Sequence, residues 1–241
     1  MTVLDTPPQD LTTTRRSWHL LAGHVLGEER WRRTRRIGLR PRPGGMRTPA
    51  DEDAGVELDH DLLVVRRGDH VDRAPLTTLG AARQLALGDA DTEPTWGVEL
   101  DVHDPPPTAS ADTSVAVHPD AAAWLATWLQ VGFDALEKLA ARDGGGEHPQ
   151  LWPEHLDVGV DLRPDDHRAS YGVSPGDDAD PEPYAYVSVW WPDRLGGLDD
   201  GRWNSGTFPG AVLRAVDLVG DEDVGATLLG WFTERYERLA P

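Results

Sequence analysis

Apolar residues first recur at helical spacing, with Trp18, Leu21 and Val25 on one face of a helix that Asp10 or one of Thr12 to Thr14 caps and that runs to about Arg33. The period then changes. Arg35 to Arg42 predicts a strand ended by Pro43-Gly44-Gly45, and the acidic, Pro-containing run from Thr48 to Ala54 predicts a loop. Val56 to Leu58 and Leu62 to Arg66 predict strands, with Arg67-Gly68-Asp69 as a turn, and Leu76 to Leu87 predicts a short helix stopped at Gly88.

Residues 103–118 contain three consecutive prolines and few core-forming side chains, which predicts a linker. Beyond it, His118-Pro119-Asp120 starts a second long helix. Trp124, Trp128, Leu129, Leu136 and Leu139 form its apolar face, and Gly144-Gly145-Gly146 stops it. Strands are expected at 154–162, 168–173, 183–191 and 210–218, followed by an amphipathic helix from Asp221 to Leu239 carrying Leu228, Leu229, Phe232, Tyr236 and Leu239. Each half, 11–102 and 119–240, thus reads as a long helix, several strands and a shorter or final helix, a structural pseudo-repeat. The expected fold is α+β: a largely antiparallel sheet with long helices packed on one face, forming one unit over residues 1–241.

Composition narrows the chemistry. The 241 residues are 39% hydrophobic and 27% charged, enough for one large domain or two small ones, and contain no cysteine. Disulfides, thiolate zinc sites and cysteine nucleophiles are therefore excluded, leaving carboxylate and imidazole as the strong metal ligands. The net charge is −19, with ten arginines against four acidic residues in 1–50, so that segment carries +6 and the remainder −25. Such a surface repels nucleic acid phosphate and anionic membrane, so neither is an expected partner. The basic run Arg30-Trp31-Arg32-Arg33-Thr34-Arg35-Arg36 is expected to pair with carboxylates, some from the C-terminal half, with anion or nucleic acid contact the lesser reading. No signal-peptide pattern and no long uninterrupted apolar run is present, so the expected location is cytoplasmic. Lys138 is the single lysine among 23 basic residues, a bias that fits a GC-rich, actinobacterial source.

The segment from His148 to Trp191 carries the candidate site. Alternation sends Leu156, Val158, Val160 and Leu162 to one face and His155, Asp157 and Asp161 to the other. In the expected hairpin partner, Ala185, Val187, Val189 and Trp191 face the core, while Glu182, Tyr184, Tyr186, Ser188 and Trp190 face away. His155, Asp157 and Glu182 are the candidate acid/base residues, and Tyr184, Tyr186, Trp190 and Trp152 the candidate ligand contacts. If a divalent metal is the cofactor, His155, Asp157, Asp161 and Glu182 are its candidate ligands, a hard donor set suited to iron, manganese or zinc. The bland reading is the polar outer face of an antiparallel sheet, its aromatics covered by a helix.

Ser174-Pro175-Gly176-Asp177 predicts a type II turn, and the carboxylates of Asp177, Asp178, Asp180 and Glu182 lack a calcium-loop pattern and read as a solvated acidic loop. His19 and His24 lie five apart, off a common α-helical face, and read as unrelated. Nucleotide-binding glycine loops, the nucleophile elbow and the His-Glu-x-x-His zinc motif do not occur. The leading expectation is a soluble small-molecule-binding protein or enzyme using the His, carboxylate and aromatic face. The alternative is a noncatalytic interaction module that buries this face against a partner.

Arg36-Ile37-Gly38-Leu39-Arg40, Leu151-Trp152-Pro153-Glu154-His155-Leu156-Asp157, Tyr171-Gly172-Val173-Ser174-Pro175-Gly176-Asp177 and Pro181-Glu182-Pro183-Tyr184-Ala185-Tyr186-Val187 resemble an uncharacterised actinobacterial family. The order of elements, with Trp203-Asn204, also resembles a larger bacterial family of unknown function. The resemblance covers most of residues 11–240. It implies one continuous module, and no activity, cofactor or catalytic residue.

Overall fold

The computed structural model describes residues 1–49, 54–90, 93–100, 106–164, 167–178, 180–195 and 201–240. It is α+β, with two five-stranded antiparallel sheets of strand order β1-β2-β3-β4-β5 and β10-β9-β8-β7-β6. Contacts group the chain into two compact units: Pro7–Thr127 with Leu151–Leu156, and Met1–Thr6 with Trp128–Gln150 and Asp157–Pro241. The division falls inside the long helix rather than within 103–118.

In the unit containing the N-terminal helix, α1 (Leu11–Leu21) continues through a π-helical turn, Ala22–Gly27, into α2 (Glu28–Thr34). Arg35 ends α2 in the left-handed region at φ 59°, which turns the chain before a strand can form. The strand expected from Arg35 therefore shortens to β1 (Arg40–Arg42), while Leu39 bridges to Leu151. Pro43 and Gly44 make the turn, Gly44 at φ 79°, and Gly45 already belongs to β2 (Gly45–Arg47), where a stop was expected.

Strands β3 (Ala54–Asp59) and β4 (Leu62–Arg67) form where expected, and within the expected 48–54 loop residues 50–53 lie outside the described set. Strand β5 (His70–Pro75) escapes the pattern because it is an exposed edge with no apolar face. Helix α3 (Leu79–Leu87) starts later than Leu76 because the Thr78 Oγ1 accepts the Ala81 N–H at 3.2 Å, and it stops at Gly88, φ 78°. Helix α4 (Trp96–Glu99) was not expected.

Residues 103–105 of the expected linker lie outside the described residues, but 106–118 is packed and not a tether. Val115 N–H donates to the Thr77 carbonyl at 2.9 Å, Ala116 N–H to Ser17 Oγ at 3.0 Å and His118 N–H to Thr14 Oγ1 at 3.0 Å. Backbone hydrogen bonds to fixed partners override the local composition that suggests a linker.

Helix α5 (Pro119–Arg142) is the second long helix, and its residues from Trp128 onward belong to the other unit. There it covers the apolar face of β7 (Asp157–Leu162), β8 (Ala169–Ser174), β9 (Tyr184–Val189) and β10 (Gly210–Arg214), which follow β6 (Gln150–Trp152). Trp128 Nε1–H donates to the Ser174 carbonyl at 2.8 Å, and Val158, Tyr171, Val173, Ala185 and Val187 are fully buried on this face. Helix α6 (Val224–Leu239) adds Phe232, edge-on to Tyr171 at 6.3 Å, and Tyr236, whose hydroxyl donates to Asp143 Oδ1 at 2.6 Å. It starts after Asp221 because Asp223 is the cap, accepting Ala226 N–H.

The strand expected over 210–218 ends at Arg214 and continues as a 3₁₀ turn, Ala215–Leu218. The outer edge of β10 is occupied by Asn204, whose side chain accepts Val212 N–H at 2.8 Å and donates to the Val212 carbonyl at 3.0 Å.

Gly132 lets α5 pack close against the sheet, since a Cβ there would lie 2.2 Å from a Val173 methyl. Alanine normally stabilises a helix interior by about 1 kcal/mol over glycine. Here the clash wins, and Gly132→Ala should lower unfolding free energy by about 1–3 kcal/mol in urea titrations, with partial recovery in the Gly132→Ala, Val173→Ala double variant. A Gly132→Ala variant more stable than the parent would refute this packing.

Candidate functional site

The register of the second sheet builds a polar-aromatic face opposite the buried one. Asp161 lies across from Ser170 and Ser170 from Ser188; Gly159 faces Gly172, Gly172 faces Tyr186 and Tyr186 faces Val212; Ser174 faces Tyr184 and Tyr184 faces Arg214. Asp157 and Asp161 thus share a face with Tyr184, Tyr186 and Ser188, as alternation predicts.

Strand β8 lies between β7 and β9, which are not the direct hairpin partners expected from sequence. Tyr186 spans that strand. Its ring covers Gly172, where a Cβ would come 2.4 Å from the phenol, and its hydroxyl donates to Asp157 Oδ2. Asp157 is only 7% exposed, so this charge-assisted bond offsets part of the desolvation of its carboxylate. Burial, and then the Asp157 carboxylate, push the Tyr186 hydroxyl well above the usual tyrosine range.

At one end of the face Arg214 donates to Asp180 Oδ1 at 2.6 Å and lies 5.6 Å from the Tyr184 ring. At the other end the Arg168 guanidinium stacks 3.6 Å from the Trp190 ring and donates to Asp161 Oδ2 at 2.5 Å. Ser170 Oγ donates to Asp161 Oδ1 at 2.6 Å and accepts Trp190 Nε1–H at 2.9 Å. Trp190 is 45% exposed. Trp191 meets it edge-on at 6.1 Å and is itself 42% exposed, past the end of β9, where alternation had sent it to the core.

His155 does not join this face. The strand begins at Asp157, because Leu156 adopts φ 56° and closes a turn onto the Trp152 carbonyl at 2.8 Å. His155 is exposed on that turn and groups with the other unit, as does Trp152, which packs against Trp31, Ile37 and Trp96. Glu182 is exposed before β9, and its charge acts on Arg214. Among the described residues no group of three or more His, Asp or Glu is placed to hold a metal ion. Gly176 takes the positive φ that the expected turn needs, 85°, while Asp177 N–H donates to the Asp180 carbonyl at 2.8 Å.

Four arginines of 30–42 pair with carboxylates of their own unit: Arg32 with Glu28 and Asp89, Arg33 with Glu29, Arg35 with Glu99, and Arg42 with Glu57 and Asp59. These partners come from residues 28–99. His19 and His24 were read as unrelated, and each is depressed mainly by its own burial, with His24 the last of the causes acting on His19. The π turn between them was the missing signal, since its i→i+5 bonding moves His24 off α-helical phase. No helix of the described residues is long and apolar enough to cross a membrane. Compared with protein-family models, with curated proteins and with solved structures, the chain matches none.

The chain has four tyrosines and one lysine, so its titration near pH 10 is almost wholly tyrosine. Tyr171, Tyr184 and Tyr186 are all raised, mainly by burial. Their contribution is complete below the unfolded value of about 10 and is lost as pH climbs toward their folded values, because there the unfolded state holds fewer protons. Urea midpoints should therefore fall above about pH 10. Tyr186→Phe should start about 1–3 kcal/mol lower at neutral pH and show a shallower alkaline decline. An unchanged alkaline slope would contradict the assignment.

Proposed function

We propose that this chain is a noncatalytic interaction module whose recognition surface is the polar-aromatic face, centred on Arg168, Trp190 and Trp191. The carrying observation is the guanidinium fixed 3.6 Å over the Trp190 ring while both tryptophans remain more than two-fifths exposed. Stacking and the hydrogen bonds to Asp161 and Ser170 hold the cluster in one geometry before any partner arrives, which reduces the ordering cost of association. Tryptophan and arginine are the side chains that most often anchor protein interfaces.

Catalysis has less support. Asp157 and Asp161 are engaged by Tyr186 and by Arg168 with Ser170, and His155 stands on a turn outside the strand. The net charge of −19 favours a partner with an apolar centre and a basic rim, and disfavours nucleic acid. Arg32, Arg33, Arg35 and Arg42 support the same conclusion, being paired with carboxylates.

A photo-crosslinking residue placed at Trp191 tests the reading in extracts of the source organism. One adduct of defined mass is expected, lost when Trp190→Ala and Arg168→Ala are added without change in folding. If no adduct forms, light scattering shows a monomer, and a metabolite instead stabilises the parent but not the Trp190→Ala variant, the face is a small-molecule site and the proposal fails.

A further inference from the structure

The outer edge of β10 is occupied by Asn204, and Leu39, leading into β1, exchanges backbone hydrogen bonds of 2.7 and 3.0 Å with Leu151 of β6. Among the described residues, β5 is the edge left open. Its register settles which groups are free. Arg67 pairs with His70 and Leu63 with Ala74, and Leu76 N–H donates to the Asp61 carbonyl at 2.9 Å, so the even-numbered residues of β5 bond to β4. The N–H and C=O of Val71 and Arg73 and the Pro75 carbonyl point the other way. A little further along, the same edge already takes a strand: the Thr77 carbonyl accepts Val115 N–H at 2.9 Å, and Thr78 bridges antiparallel to Ser114. After Val115 the chain turns away, Ala116 and His118 donating to Ser17 and Thr14, and the cover stops short of Pro75. Among the described residues, no backbone hydrogen bond from outside the sheet reaches Val71 or Arg73.

The side chains beside this edge are basic. Strand pairing aligns Arg40, Arg47, Glu57, Val64 and Arg73 in one row across the outer face of the sheet. Glu57, the one carboxylate of the row, is taken by Arg42 and Arg66. Arg73 ends the row at the open edge, exposed, with Val64 as its cross-strand neighbour and no ion pair among the described residues. On the opposite face Asp72 holds Arg67 and His70. An added strand must therefore be acidic on one face and neutral on the other.

A second copy of the chain is poorly matched to this edge. Two-fold antiparallel pairing sets Asp72 against Asp72, Arg73 against Arg73, or Val71 against Val71 with Arg73 facing only Asp69 of the turn. Nucleic acid offers phosphates to the arginines but nothing to the peptide groups. An extended polypeptide with a carboxylate opposite Arg73 satisfies both. We propose that β5 is a docking edge for an extended acidic segment of a partner protein, which adds a strand beside residues 71–75 and places a glutamate or aspartate opposite Arg73. This edge belongs to the unit containing α1 and is independent of the Trp190 face.

Amide hydrogen exchange followed by NMR tests this, with an acetylated, amidated peptide of alternating glutamate and threonine as the probe. Its lysine counterpart and an oligothymidylate are the controls. Saturating glutamate peptide should slow the Val71 and Arg73 amides by about ten-fold or more, and leave those of Asp72 and Ala74, already bonded to β4, unchanged. Arg73→Glu, at an exposed position, should weaken that peptide several-fold. Val71→Pro, which removes an outward N–H and spares the bonds to β4, should do the same. The lysine peptide should give no protection there, although the net charge of −19 attracts it. The proposal is overturned if the glutamate peptide leaves Val71 and Arg73 unprotected, or if the lysine peptide or the oligonucleotide protects them equally. Protection without peptide that grows with protein concentration would also overturn it, in favour of pairing between two copies.

Discussion

The polar-aromatic face depends on one contact, the Tyr186 ring lying across Gly172 to reach Asp157. The ring crosses a whole strand, which only a residue without a side chain permits. A one-residue slip of β9 would turn Tyr186 into the core, bring Ala185 or Val187 to the polar side and take the hydroxyl away from the buried Asp157. A hydrogen bond to a charged group contributes about 1.5–3 kcal/mol, above the gain of a single cross-strand pair. The register of β9 and the make-up of the face are therefore tied to this hydrogen bond and the glycine beneath it.

Charge is handled differently in the unit containing α1. Glu28, with no exposed surface, receives Arg32 Nε–H at 2.7 Å and Thr95 N–H at 2.8 Å; Asp89 then joins Arg32 to Arg83. The four side chains alternate in sign, so the burial of each is offset by neighbours on one or both sides. Burial alone would raise Asp89, but the hydrogen bonds from Arg83 and Arg32 hold its carboxyl below the usual range. Such chains contribute little net stability against an apolar equivalent, but they fix which helix faces meet. Arg32 holds α2 to the segment after α3 through Asp89, and Arg83 holds α3 to the π turn through His24.

Alternation made much of this legible. The pairing of Asp157 and Asp161 with Tyr184, Tyr186 and Ser188 on one face is a consequence of period two, and it holds wherever a strand buries its other face. It failed at His155 because one left-handed residue, Leu156, resets the phase, and a left-handed leucine has no sequence signal. It failed for β5 because HVDRAP has no apolar side to alternate. Period-based reasoning also assumes one kind of helix. The π turn at Ala22–Gly27 broke that assumption, and with it the α-helical spacing used to compare His19 with His24. Arg83 was unremarkable in sequence, since nothing in the LGAARQLAL helix distinguishes an arginine that will be buried from one that will not.

The sheet face sets its own terms for association. The polar groups around Trp190 are joined to one another, so association gains mainly from apolar area and must not break those bonds. Such an arrangement rewards a large complementary surface and tolerates chemical variety at its rim.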